Sequence, residues 1–272
     1  MLFLFFSILS IIHTTLSFDE TLIQTSVNLA QSTYCVTSID HWNCTTCESS
    51  NILEYVVENR GALALLGYNT EFDTLFVSFR GSSNIENWID DFQIMKTYPY
   101  ENPEIAVELG FYKAYNYIKP DIFSNLEILS RKYKTNRILT ASHSLGAAES
   151  TLFVYDIMKY YKTTYQLYYL ITFGSPRVGN PDFVSDFASF NPSMYRITHY
   201  YDIVPHTPEE LMGFLHLPNE VWYNENNTNY KICNDSDEME DNTCSDSCAP
   251  IHCTSTSDHL FYVNIHMGSN NC

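Results

Sequence analysis

The sequence predicts an α/β fold in which a mostly parallel central sheet is covered by helices on both faces. From Arg137 to Tyr201, apolar and aromatic runs of strand length alternate with runs of helical period, which is the order of βαβ units. The 272 residues are 45% hydrophobic and 15% aromatic, enough to bury one large core. No internal repeat or proline-rich linker divides them.

Taken in order, DETLIQTSVNLAQSTY (residues 19–34) repeats apolar residues at helical spacing and predicts an N-terminal helix. ALALLGY and TLFVSF flank Asn69–Asp73 and predict a strand hairpin. A long helical stretch runs from Phe111 to about Tyr133, with an interruption expected near Pro120. Strand RILTAS, helix LGAAESTLFVYDIMKYY, strand LYYLITF, helix DFVSDFASF and strand SMYRITHYY follow. From Asn224 to Pro250 the chain turns polar and acidic, and reads as a solvated surface excursion held by disulfides rather than a second domain. Its acidic run lacks the residue order of a calcium loop.

Charge narrows the function. Lys and Arg total 14 against 32 Asp and Glu, a formal charge of -18 that repels polyanions and excludes a nucleic-acid role. Residues 1–17 carry an apolar run from Leu2 to Ile12 with Thr15 and Ser17 at cleavage-compatible positions, and read as a secretory signal peptide. Residues 18–272 are then one domain without a transmembrane segment, expected outside the cell or in the lumen of a secretory or digestive compartment. The eight cysteines, Cys35, Cys44, Cys47, Cys233, Cys244, Cys248, Cys253 and Cys272, are an even set and default to disulfides in an exported chain. A zinc knuckle at Cys44 and Cys47 is disfavoured because no second C-x-x-C lies at ribbon spacing, so no metal or other cofactor is expected. Sequons at Asn43, Asn226 and Asn234 fit export.

Ser144 carries the chemistry. It stands where strand RILTAS ends and a helix opens, so its hydroxyl would emerge at the carboxyl edge of the sheet beside a helix N-terminus. A helix-capping serine would occupy the same place. A serine hydroxyl attacks only when a base takes its proton and a third group orients that base. Asp202 follows strand SMYRITHYY and would reach the same sheet edge. His259, in Asp258-His259-Leu260-Phe261-Tyr262 at the start of an expected last helix, suits the base. The other histidines after Asp202 read as surface or core residues, and His143 as packing beside the elbow.

Ser142 through Ala148, together with Val77–Ser82, Asn87-Trp88, Gly110-Phe111, Thr172–Asn180, Asp202–His206, Gly213-Phe214 and Glu220–Tyr223, resembles the fungal-type class 3 lipase family over about residues 60 to 266. The resemblance implies an α/β-hydrolase fold and a triad of Ser144, Asp202 and His259. It also implies oxyanion donors at the backbone N–H groups of Ser82 and Leu145. By position it makes the helix carrying Ile85, Trp88, Ile89 and Phe92 a mobile lid, opened by an S-x-x-E capping box at Ser83, with Ile94, Met95, Tyr98 and Tyr100 adding apolar surface for an acyl chain. It further implies the pairs Cys35–Cys272, Cys44–Cys47 and Cys233–Cys244, leaving Cys248–Cys253.

Two departures stand out: Glu108 where the family often has histidine, and Ser142 and Ala147 where the elbow has glycines. Glu149, one turn into the helix after Ser144, has no evident role. The resulting expectation is a secreted, cofactor-free, monomeric serine hydrolase acting on triacylglycerols at a lipid-water interface. A phospholipase A1, a feruloyl-type esterase and a non-catalytic lipid-binding relative are the alternatives.

Overall fold

The computed structural model describes residues 18–91, 93–249 and 252–272. The expected signal peptide and the lid residue Phe92 lie outside them. Eight strands form the main sheet: β1 (Asn51–Asn59), β2 (Ala62–Asn69), β3 (Thr74–Phe79), β4 (Arg137–His143), β5 (Gln166–Phe173), β6 (Met194–His199), β7 (Glu220–Tyr223) and β8 (Tyr230–Ile232). They lie side by side in chain order. β3 through β7 run parallel, while β1–β2, β2–β3 and β7–β8 are antiparallel hairpin pairs. The expected hairpin is thus extended by a further strand on its outer side, β1, which the sequence reading passed over.

The helices are α1 (Glu20–Cys35), α2 (Ile85–Asp91), α3 (Leu109–Tyr133), α4 (Leu145–Tyr160), α5 (Pro181–Ser189) and α6 (Thr256–His259). Strand alternation sends side chains to opposite faces, and each face has its own helices. Leu63, Leu65, Phe76, Leu139 and Ile171 bury with Leu22, Ile23, Val27 and Ala30 of α1. Ala64, Leu66, Leu75, Val77 and Leu170 bury with α3, α4 and α5 on the other face.

Pro120 does not interrupt α3, which is continuous through it. The stripe of Phe111, Tyr115, Ile118, Ile122, Leu126 and Leu129 is buried against the sheet, and that burial outweighs one missing backbone hydrogen bond. Among the described residues no helix is long and apolar enough to cross a membrane.

The three disulfides that the resemblance implied form, Cys35–Cys272, Cys44–Cys47 and Cys233–Cys244, and the leftover Cys248 and Cys253 are bonded to each other. The polar excursion is more than a solvated loop. Its Glu240 forms an ion pair with Arg177, and its Asp235 with Arg196, all four side chains being less than a tenth exposed. Arg196 also reaches Glu220 of β7 and the Leu217 carbonyl. The acidic segment therefore supplies carboxylates to two guanidinium groups that the body of the fold buries.

Candidate active site

β4 ends at His143 and α4 begins at Leu145, leaving Ser144 alone at the apex of the turn with φ 59° and ψ -131°. That left-handed φ is strained for a residue with a β-carbon, and it aims the hydroxyl away from both flanking elements. The turn is tight because its neighbours are. A β-carbon on Gly146 would stand 2.2 Å from the Phe79 carbonyl oxygen, so α4 can approach β3 only with glycine there.

Ser142 is fully buried, and its hydroxyl accepts the Phe79 N–H at 2.8 Å and the Ser150 O–H at 2.6 Å. The residue that departs from the glycine of the elbow is thus tied to both neighbouring elements rather than merely tolerated. The side chain that breaks the motif also satisfies a backbone donor at the end of β3.

Asp202 lies three residues beyond β6, where its amide turns back onto the His199 carbonyl. Its carboxylate accepts His259 Nδ1–H at 2.9–3.0 Å, the Val204 N–H at 2.8 Å and the Tyr262 hydroxyl. His259 is the last residue of α6 rather than the first residue of a helix after it. The short helix is capped by the Ser255 hydroxyl, and delivers the imidazole, fully buried, onto Asp202. Donation from Nδ1 leaves Nε2 as the ring's acceptor. Gly174, at φ 55°, makes room for this pair: a β-carbon there would stand 2.8 to 2.9 Å from Tyr262 Oη, Asp202 Oδ2 and His259 Nδ1.

His259 Nε2 and Ser144 Oγ are both buried and have no hydrogen-bond partner. Both line one cavity of about 120 Å³, together with Ser82, Ser83 and Ile85. A proton acceptor and a hydroxyl in one enclosed space are the reactive half of a serine hydrolase.

Ser82 also lines a second, larger groove of about 570 Å³ with Trp88, Met95, Leu109, Phe111, Ala114 and Leu145. Of the two expected oxyanion residues, Ser82 thus lines both spaces and Leu145 the apolar groove. The Ser82 hydroxyl bonds to its own loop, donating to the Asn84 carbonyl at 3.1 Å.

α2 overlies both spaces, with Ile85 facing the cavity and Trp88 facing the groove against Phe111. Its cap is Asn84, whose side chain accepts the Asn87 N–H at 3.1 Å, and not the expected Ser83. The acyl-chain surface is also narrower than expected. Met95 lines the groove, but Tyr98 is exposed and Tyr100 packs behind it on Tyr155 and Phe183.

Glu108 is buried in the groove wall and caps α3, accepting the Phe111 N–H at 2.9 Å and the Met95 N–H at 3.4 Å. Burial pushes its carboxyl up, a rise the surrounding amides limit.

The family model for class 3 lipases matches residues 76–212, half of the chain, which carry Ser144 in its strand-turn-helix and Asp202 beyond β6. The chain belongs to the class 3 lipase family. Membership makes it a serine carboxylester hydrolase. A lipase of Rhizomucor miehei is 29% identical over 253 residues, covering 88% of this chain and 67% of its own length. The solved structure of lipase II from Rhizopus niveus superposes with a TM-score of 0.83 at 26% identity, over 92% of this chain and 95% of that one. A further solved triacylglycerol lipase, described as having a serine protease triad at its catalytic centre, is 28% identical with a TM-score of 0.81, over 92% and 95% of the two chains.

The sequence reading brought together Ser144, Asp202, His259, Ser82, Leu145, Ile85 and Trp88. It missed Tyr262 on Asp202 and Gly174 beneath the pair. Tyr262 sits three residues after His259 with nothing in its spacing to mark it, while the left-handed turn at Gly174 had a visible signal in Phe173-Gly174-Ser175-Pro176.

Among the described residues, two groups of His, Cys and acidic residues are close enough to share an ion, His206 with Cys248 and Cys253 and Glu220 with Cys233 and Cys244, and their sulfurs are engaged in disulfides.

Proposed function

We propose that this protein hydrolyses the carboxylester bonds of triacylglycerols through an acyl-enzyme on Ser144. The observation that carries this reading is the shared cavity of two unpartnered atoms, Ser144 Oγ and His259 Nε2, with Ser82 lining both it and an apolar groove.

In the first half-reaction His259 Nε2 takes the Ser144 proton as Oγ attacks the ester carbonyl, with Asp202 fixing the ring and stabilising the imidazolium. The amides of Leu145, first in α4, and of Ser82 receive the oxyanion. Each such donor is worth about 3 to 4 kcal/mol. His259 then protonates the departing alcohol, and water attacks the acyl-enzyme by the same route.

The groove of about 570 Å³ takes the acyl chain, and α2, with Ile85 and Trp88 inward, is the lid that covers it in water and leaves it at a lipid surface. Export through the leader at residues 1–17 fits the four disulfides.

The test is fatty-acid release from emulsified triacylglycerol and from phospholipid, with fluorophosphonate labelling and Ser144→Ala as the control. Labelling of Ser144 with triacylglycerol turnover is the expected result. Release from phospholipid alone would make it a phospholipase, and an unlabelled Ser144 would make it a non-catalytic relative.

A further inference from the structure

The C-terminal turn of α1 lies directly beneath the active site. Gln31 bonds to both the N–H and the carbonyl of Gly268, at 2.8 and 3.0 Å, and Cys35 is bridged to Cys272. Between them Tyr34 points its hydroxyl at His143 Nδ1, 2.7 Å away in a buried contact.

His143 Nε2 in turn lies 2.8 Å from the backbone carbonyl of His259. A carbonyl only accepts, so Nε2 carries the proton, and the neutral ring presents a lone pair at Nδ1. Tyr34 must then be the donor to His143. Its oxygen packs against Gly81, so close that a β-carbon there would stand 2.1 Å from the hydroxyl.

Directionality is therefore fixed at both links. The relay begins at Tyr34, passes through the residue before Ser144 and ends on the backbone carbonyl of His259. The rings of His143 and His259 also lie against each other, with centroids 4.4 Å apart. Burial, reinforced by His259, keeps His143 neutral, and burial keeps the Tyr34 phenol protonated.

We infer that Tyr34 and His143 are positioning residues, whose two hydrogen bonds, with Tyr34 packed on Gly81, hold α1, the nucleophile turn and the His259 loop at one fixed spacing. The inference rests on the catalytic reading of Ser144 and His259. Tyr34 and His143 also line the cavity that holds Ser144 and His259, and the relay makes no covalent step. Its contribution is preorganisation, since donors and base act in the transition state only if already in place.

The wild-type chain is first shown to be labelled at Ser144 by a fluorophosphonate and to turn over a soluble p-nitrophenyl ester. If it does neither, the catalytic reading fails, and the relay is overturned with it. Given activity, Tyr34→Phe, which removes one oxygen, and His143→Leu are expected to lower kcat about 10- to 100-fold with KM unchanged.

The double variant is expected to be no worse than the weaker single one, because both cut the same chain of bonds. His143→Gln, which can donate and accept at once, is expected to recover most of the rate. If His143→Leu does not fold, Tyr34→Phe and His143→Gln decide alone. Unchanged kcat in Tyr34→Phe, a loss expressed only in KM, or additive losses in the double variant would overturn the inference.

Discussion

Arg177 meets Glu240 through two parallel bonds, Nε to Oε1 and Nη2 to Oε2, each 2.7 Å long. Both side chains are buried, so removing one partner strands a charge. Glu240→Ala is expected to destabilise the fold by about 3 to 5 kcal/mol in urea unfolding. Burial pushes this carboxyl up, and His216, Arg177 and Arg196 more than reverse it, leaving it far below the ordinary range. A carboxyl depressed on folding contributes stability above its unfolded value and loses it only as pH falls through the folded one. The wild-type advantage over Glu240→Ala should therefore persist through pH 5 and decay only in stronger acid.

Glu149 has the opposite sign. Both carboxyl oxygens are buried without a hydrogen-bond partner, and burial pushes the group well above the usual range, with Arg80 offsetting it only in part. Above the unfolded value the folded chain retains a proton that the unfolded chain has released, so stability falls by about 1.4 kcal/mol per pH unit until the folded value is passed. Glu149→Gln should abolish that slope. We expect it to melt higher than wild type at pH 7, with a smaller difference at pH 4.

Gly174 offers a test of the acid-base pair that leaves its residues untouched. Gly174→Ala drives a methyl against Asp202, His259 and Tyr262 at a left-handed φ. Activity on a soluble ester should fall by about 100-fold or more, since small displacements of a catalytic group are costly. Fluorophosphonate labelling should slow in proportion, while far-ultraviolet circular dichroism still reports a folded chain.

Trp88 tests the lid. Its ring lies over Phe111 at 6.2 Å and lines the apolar groove. Trp88→Ala should lower the rate on emulsified long-chain substrate several-fold and leave a short soluble ester nearly unaffected. Equal losses on both would place Trp88 in packing alone.

The sheet from β2 to β6 was legible because its strands are largely buried and carry apolar or aromatic runs of strand length, and because Leu145–Tyr160 and Phe111–Tyr133 keep a helical period. β1 was not, since NILEYVVEN mixes glutamates and asparagines with its apolar positions, ends on the exposed Glu58 and Asn59, and lies at the sheet edge. The site was legible where residue type dictates chemistry, as at Ser144, Asp202 and His259. It was not where a residue acts through distant contacts: Tyr34 lies 109 positions before His143, and only the folded chain makes them neighbours. Glu240 is one acid among many in its segment, and nothing local tells it from Glu238, which stays exposed.

The bridge from Cys35 to Cys272 closes 237 positions of chain into one covalent ring. A protease cutting once within it, as at the fully accessible Leu211, opens the ring without dividing the molecule. The two pieces stay joined at the turn that carries Tyr34. A singly nicked chain would thus run as one species on a non-reducing gel and as two after reduction. The enzyme can accordingly lose backbone continuity in its surroundings before it loses any of its parts.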